Sequence, residues 1–96
     1  MRTIRRTNQF KKDYKRETKG RSSPYAQKLD AELDVVVQVL IVDGTLEPRY
    51  QDHPLLNEWK DHRDCHVRPD LVLIYRRPDD NTLELVRLGS HSELGL

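Results

Sequence analysis

The sequence is short of the features that mark secreted and membrane-bound proteins. Its 96 residues contain one cysteine, Cys65, so an internal disulfide bond is excluded. No apolar run is long enough to span a bilayer, and the basic start MRTIRR is not followed by the apolar stretch of a signal peptide. These absences predict a soluble, cytosolic protein with no membrane partner.

The sequence also lacks a large excess of charge of one sign. Its formal net charge is +1, so the charge of the whole molecule does not indicate nucleic-acid binding. Residues 1–21 are nevertheless basic, because their lysines and arginines are opposed only by Asp13 and Glu17. This segment is either a solvated helix face or a surface that contacts phosphates. Its candidate phosphate contacts are Lys11, Lys12 and Lys15.

Length and apolar patterning predict one small folded domain over residues 1–96. Alternation around Ile4 predicts a short edge strand over residues 2–6. The residues that follow predict a polar helix with a narrow apolar stripe, ending near Gly20.

A second helix provides most of the predicted core. Its expected N-cap is Ser23, with Pro24 in the first helical position. Apolar residues then recur at three- and four-residue spacing until Asp43 and Gly44 stop the helix.

The second half of the chain predicts a sheet. Residues 45–57 are expected to form a loop, and residues 58–67 a strand with Trp59, Cys65 and Val67 on one face. Lys60, His62, Asp64 and His66 would lie on the other face. Two further strands are predicted over residues 71–76 and 82–88, joined by turns. The order βααβββ predicts an α+β fold in which two N-terminal helices pack on one face of a small antiparallel sheet.

Histidines are concentrated in residues 50–75, with the sequence YQDHPLLNEWKDHRDCHVRPDLVLIY. The fourth histidine, His91, follows Gly89 and Ser90, a short flexible approach after the last strand. A metal site made of His53, His66 and His91 with Cys65 or Asp70 is one interpretation, although no close-spaced ligand pair supports it. A nucleophilic cysteine is another, but strand alternation places Cys65 on the apolar face, where a lone cysteine is usually a small buried hydrophobe.

The third interpretation is acid/base cleavage of RNA without a cofactor. Attack by the 2'-hydroxyl needs a base for its proton, an acid for the leaving 5'-oxygen and a cation for the charge that develops on the phosphate. The histidines and Asp70 offer the acid and base, and Arg87 or Lys60 offers the cation. A structural or surface role remains the alternative for each histidine taken alone.

Residues 50–94 resemble the YafQ branch of the RelE superfamily, the toxins of bacterial type II toxin-antitoxin modules. The resemblance is carried by the DHPL loop, the segment WKDHRDCHVRPD before LVLIY, and the tail RLGSH, which match in order and spacing. It implies a RelE-like fold and a ribosome-dependent endoribonuclease that cuts mRNA in the A site. It also implies a complex with a cognate antitoxin that silences the toxin.

By position, the resemblance implies catalytic roles for His53, His66, Asp70 and His91, with Arg87 at the scissile phosphate. The chain departs from the family pattern at Leu71, where tryptophan is frequent, and at Gly95, where the family has an aromatic residue. The alternative function is a non-catalytic regulatory subunit of the same fold, which would bind an antitoxin or the ribosome without efficient cleavage.

Overall fold

The computed structural model describes residues 1–96 and has the predicted α+β architecture. None of its helices is long and apolar enough to cross a membrane. Two short 3-10 turns, Pro48–Tyr50 and Asn57–Trp59, interrupt the segment that the sequence predicts as a plain loop and the start of a strand. In chain order the elements are β1 (Thr3–Arg6), α1 (Asn8–Thr18), α2 (Ser23–Leu40), β2 (His53–Pro54), β3 (Arg63–Arg68), β4 (Leu71–Arg76), β5 (Thr82–Gly89) and α3 (His91–Leu94).

The five strands form one sheet in the order β1-β5-β4-β3-β2. Strands β2 to β5 are antiparallel neighbours. The sequence predicts this pairing for β3 to β5, whereas β2 lies in the segment expected to be a loop. The first strand runs parallel to β5, with Ile4 beside Leu83, so the sheet is mixed and not wholly antiparallel. This arrangement places the N-terminal strand at one edge of the sheet and the two-residue β2 at the other.

Both N-terminal helices pack on the same face of the sheet, as predicted. Phe10 of α1 and the buried stripe of α2 meet the inward side chains of the three central strands in a core of 16 buried residues, including Cys65 and Tyr75. The opposite face carries only a small apolar cluster of Val72, Ile74 and Leu94. Polar side chains therefore have room on that second face.

The ends of the helices follow side-chain capping. The Thr7 hydroxyl accepts a hydrogen bond from Phe10 N at the start of α1. The prediction that Ser23 caps the second helix is wrong, because the Ser22 hydroxyl accepts from Tyr25 N and Ser23 is already helical. The helix ends at Leu40, before the expected stop.

The predicted strand over residues 58–67 begins too early. Asn57 and Asp61 have φ values of 57° and 70°, a left-handed conformation that breaks an extended strand, so β3 starts at Arg63. Trp59 consequently leaves the strand and packs with Val72 and Ile74 on the face opposite Cys65. Its predicted place on the Cys65 face is wrong.

Side chains of α1 cover the edge of β5 beyond the end of β1. Asp13 is 1% exposed and accepts hydrogen bonds from Leu88 N and the Arg87 guanidinium, at 2.9 and 2.8 Å. Arg16 pairs with the same carboxylate at 2.9 Å and donates to the Leu88 carbonyl oxygen. Burial opposes ionisation of Asp13, but the bonds from Arg87 and Leu88 N and the charge of Arg16 hold its pKa below the ordinary value.

We expect Asp13→Asn to lower the free energy of unfolding at pH 7 by about 2 kcal/mol, because hydrogen bonds to a charged group are lost. A lowered folded-state pKa adds stability that is present above the unfolded pKa and lost as the pH falls through the folded one. The difference between parent and variant should therefore shrink in acid. Urea titrations at pH 7 and pH 3 measure it, and an equal difference at both values would contradict the argument.

Candidate active site

Strand β3 places His66, a predicted site residue, and Asp64, which was not predicted as one, on the open face of the sheet. Asp64 is paired with Ile74 of β4 and His66 with Val72, and both partners belong to the apolar cluster of that face. Because alternate residues of a strand point to the same side, Asp64 and His66 share a face while Cys65 points into the helix-side core. The predicted separation of apolar and ionisable residues within this strand is confirmed.

The short strand β2 brings His53 beside Asp64, since these two residues are register partners. The preceding residue, Asp52, anchors the segment: its Oδ1 accepts from the Tyr75 hydroxyl at 2.6 Å and from Arg63 Nε at 3.2 Å. Tyr75 is fully buried, and burial together with Asp52 raises the pKa of its hydroxyl. A core hydroxyl thus fixes the loop that carries His53.

The ring of His53 is oriented by a backbone carbonyl. Its Nδ1 lies 2.7 Å from the carbonyl oxygen of Gln51 and 3.0 Å from Asp64 Oδ1. A carbonyl oxygen only accepts hydrogen bonds, so this contact assigns the proton to Nδ1. In the neutral ring the lone pair then lies on Nε2, which is the atom available to take a proton from a substrate.

Asp64 is the buried acid at the centre of the site. It is 1% exposed, and its Oδ1 receives no hydrogen bond of good geometry, because the neighbouring His53 Nδ1 is directed at Gln51. Burial raises the pKa of Asp64, while the charges of three histidines (His53, His66 and His91) oppose the rise. We call Asp64 together with His53, His66 and His91 the histidine cluster.

The last short helix positions His91 within the histidine cluster. The rings of His66 and His91 are tilted by 56° with centroids 5.0 Å apart. Ser90 forms a capping box with Glu93, and the buried Leu94 anchors the helix on the open face. The expected flexible approach is therefore a capped helical turn, which holds the exposed His91 ring in place.

Two clefts adjoin the histidine cluster. The leucine–tryptophan cleft, about 560 Å³, is lined by His53, Asp64, His91, residues 54–59, Gly95 and Leu96. The arginine–tyrosine cleft, about 500 Å³, begins at His66 and is lined by Glu32, Val35, Arg49, Tyr50, Gln51, Val67, Arg68 and Pro69. An extended ligand crossing the histidines would enter both clefts.

Other candidate residues lie outside the histidine cluster. Asp70 is exposed in the turn between β3 and β4 and forms no hydrogen bond or ion pair with a histidine, and Lys60 is exposed after the second 3-10 turn. The Arg87 guanidinium is bound by Asp13. Their roles stay predictions, as do those of the exposed lysines of α1, which are Lys11, Lys12 and Lys15.

Two alternatives from the sequence can be set against this geometry. No group of three or more histidine, cysteine, aspartate or glutamate side chains is arranged to hold a metal ion. Cys65 is fully buried, and burial raises the pKa of its thiol, which disfavours the nucleophilic thiolate. Cys65 is thus the small buried residue that strand alternation indicated.

Sequence reasoning missed Asp64 as a site residue. The signal was present, because the alternation of β3 had already put Asp64 on the face of His66. Its importance comes from its burial beside the histidines, which depends on the pairing of β2 with β3 and on the placement of α3 against the open face of the sheet. No local pattern shows these long-range placements.

Comparison with known proteins relates the whole chain to one group. A model of the family described as "Bacterial toxin of type II toxin-antitoxin system, YafQ" matches residues 2–95. The chain is 36% identical over 97 residues to the mRNA interferase toxin YafQ of Escherichia coli strain B / BL21-DE3, which covers 97% of this chain and 95% of that protein.

Solved structures agree with this similarity. The E. coli DinJ–YafQ complex contains a chain that is 36% identical, with a TM-score of 0.78 and 98% of both chains covered. A metal-bound toxin from Helicobacter pylori is 47% identical, with a TM-score of 0.79 and coverage of 98% of this chain and 99% of that one.

Proposed function

Because the chain belongs to the YafQ family of type II toxin-antitoxin toxins, we propose that it is a ribosome-dependent endoribonuclease that cleaves mRNA in the A site. Its partners are the ribosome with its mRNA, and a cognate antitoxin that silences it as a hetero-oligomer. The E. coli DinJ–YafQ complex is the precedent for the antitoxin.

The observation that carries the proposal is the histidine cluster on the open face of the sheet. His53 is the general base, because its Nε2 lone pair is free, and it takes the proton of the 2'-hydroxyl. That oxygen attacks the phosphorus, and His91 gives a proton to the departing 5'-oxygen. The products are a 2',3'-cyclic phosphate and a 5'-hydroxyl, so no water or external reagent is consumed.

The remaining candidates act on the phosphate. His66 lies 5.0 Å from His91, ring to ring, and holds a non-bridging oxygen as a hydrogen-bond donor. Asp70 orients the substrate from the adjoining turn, and Lys60 or Arg87 offsets the charge that develops on the phosphate. Arg87 binds Asp13 through Nε and Nη2, so Nη1 is its donor toward the phosphate.

Expression under an inducible promoter tests the proposal. The expected result is growth arrest together with new 5' ends that map within codons of ribosome-bound mRNA. Coexpression of the antitoxin should restore growth. Growth arrest with intact mRNA would contradict cleavage. It would favour the alternative function, in which the protein is a non-catalytic subunit that binds the ribosome or the antitoxin. Purified protein with purified ribosomes separates direct cleavage from an indirect effect.

We expect the chemical step to proceed without a divalent ion bound to the protein, because the base and the acid are both protein side chains. Protein stripped with a chelator and returned to ribosomes in magnesium buffer should cleave at the parent rate. The H. pylori relative with a bound metal makes the control necessary: adding one equivalent of zinc or copper should not raise the rate. A rate restored only by such an ion would overturn this prediction.

The basic lysines of α1 are proposed to bind the phosphates of ribosomal RNA. Charge reversal at Lys11, Lys12 and Lys15 should weaken ribosome binding. It should also make the plot of log affinity against log salt shallower by about one unit for each phosphate that the variant no longer neutralises. Lys28→Glu, an exposed reversal on α2, is the control. An unchanged salt dependence would return the segment to a solvated helix face.

A further inference from the structure

We propose that the arginine–tyrosine cleft binds the base of a nucleotide that flanks the scissile phosphate on the His66 side. The inference rests on the proposed endoribonuclease function and adds a substrate subsite to it. His66 is the link, because it belongs to the histidine cluster and also lines this cleft. RNA whose phosphate lies over the His66 and His91 rings would place a neighbouring nucleotide in the cleft.

The wall of the cleft is suited to a nucleobase. The Arg49 guanidinium lies 4.7 Å from the centre of the Tyr50 ring and donates a hydrogen bond to the Tyr50 hydroxyl at 2.8 Å. Flat guanidinium and phenol groups are the surfaces on which unpaired RNA bases stack. Val35 on α2, a 53% exposed hydrophobic side chain, supplies an apolar surface on the other side.

The charges of the cleft are those of a groove that binds RNA, and they differ from those of an acidic or neutral groove that binds a peptide. Glu32, its one acid, is occupied by Arg68, whose Nε donates to Glu32 Oε1 at 2.8 Å. The Arg49 side chain is 71% exposed and lies 3.9 Å from Glu47. Because that pair is distant and only Nη2 donates to the Tyr50 hydroxyl, the other donors of Arg49 are free for a phosphate or base edge. The available charge is therefore positive and next to an aromatic ring.

The backbone segment that lines the cleft also orients the general base, His53. Tyr50 ends the first 3-10 turn, and Gln51 follows it in a left-handed conformation with φ of 49°. Gln51 lines the cleft, and its carbonyl oxygen orients His53. A base seated against Tyr50 would stabilise the same backbone that fixes the tautomer of His53.

The test is a double-mutant cycle between protein and RNA on ribosomes programmed with short mRNAs. The mRNAs carry an abasic nucleotide either 5' or 3' of the mapped cut. With the parent protein, the abasic change at one of the two positions should lower the single-turnover rate about tenfold because stacking is removed. With Tyr50→Leu or Arg49→Ala that penalty should disappear, because the variant offers no platform for the base. Arg49→Lys, which keeps the charge but not the plane, should behave like Arg49→Ala.

Arg21→Ala is the matched control, because Arg21 also lies 4.7 Å over a tyrosine ring, that of Tyr25, but does not line the cleft. It should leave the abasic penalty intact. An equal penalty in parent and Arg49 variants would overturn the subsite while leaving cleavage itself established. Parent protein that cuts no RNA would instead overturn the proposed function. Variants that cleave normally and lose antitoxin affinity would make the cleft a protein-docking surface and overturn its role toward RNA.

Discussion

Replacement of His91 by alanine is expected to lower single-turnover mRNA cleavage by roughly a hundred- to ten-thousandfold, the range typical of a lost general acid. His91→Gln should be nearly as inactive, because glutamine keeps a hydrogen-bond donor but cannot release and regain a proton. The ring is exposed at the start of α3, and Ser90 and Leu94 hold that helix without it. Folding and antitoxin binding should therefore barely change.

The measurement is the rate of cleavage on programmed ribosomes with the variant in excess. A substrate whose leaving 5'-oxygen is replaced by sulfur provides a further control, because a sulfur leaving group needs little protonation. His91→Ala should lose much less activity on that substrate. If both His91 variants fold, bind ribosomes and cut at close to the parent rate, the acid must be His53 or His66.

Replacement of Asp64 by asparagine is expected to lower cleavage by about a hundredfold or more while the protein becomes no less stable at neutral pH. Asp64 supplies the negative charge beneath three histidines and lies 3.0 Å from His53 Nδ1. A carboxylate behind a catalytic imidazole stabilises the imidazolium that forms when the ring takes a proton. Asparagine has the same shape but no charge, so it cannot provide this stabilisation.

The effect of Asp64→Asn on stability follows from the raised pKa of Asp64. A folded-state pKa above the ordinary 3.8 adds stability that is complete below the unfolded pKa and lost as the pH rises through the folded one. The variant does not undergo that loss. In urea titrations, the unfolding free energy of the variant relative to the parent should rise between pH 4 and pH 7. The size of the rise depends on the neighbouring charges, because the three histidines lower the pKa of Asp64 and Asp52 raises it. A variant with parent activity would leave Asp64 a merely structural acid.

Much of the fold could be predicted because its signals are local. Pro24 marks the first turn of α2, although the N-cap is Ser22 and not the predicted Ser23. Apolar spacing defines the buried stripe of α2, and alternation separates Cys65 from His66. The start of β3 could not be predicted in the same way. Asn57 and Asp61 adopt positive φ without glycine, so nothing in their identity required the strand to begin later.

The site was predictable in its residue types and only partly in its geometry. The three histidines expected from the motifs, His53, His66 and His91, converge around Asp64, with ring centroids of 5.0 Å for one pair. The pairing of Arg87 with Asp13 depends on α1 lying beside the end of β5, a long-range placement that the spacing of the motifs does not contain. The same holds for the burial of Asp64.

The parallel pairing of β1 with β5 has a consequence for the synthesis of the protein. Residues 3–6 are synthesised long before their sheet partners, residues 82–85. The edge strand therefore stays unpaired until residues 82–85 have been synthesised. His91 is added later still, so a nascent chain carries no assembled histidine cluster. The mRNA cleavage proposed for this protein thus requires a chain that has been synthesised at least as far as His91.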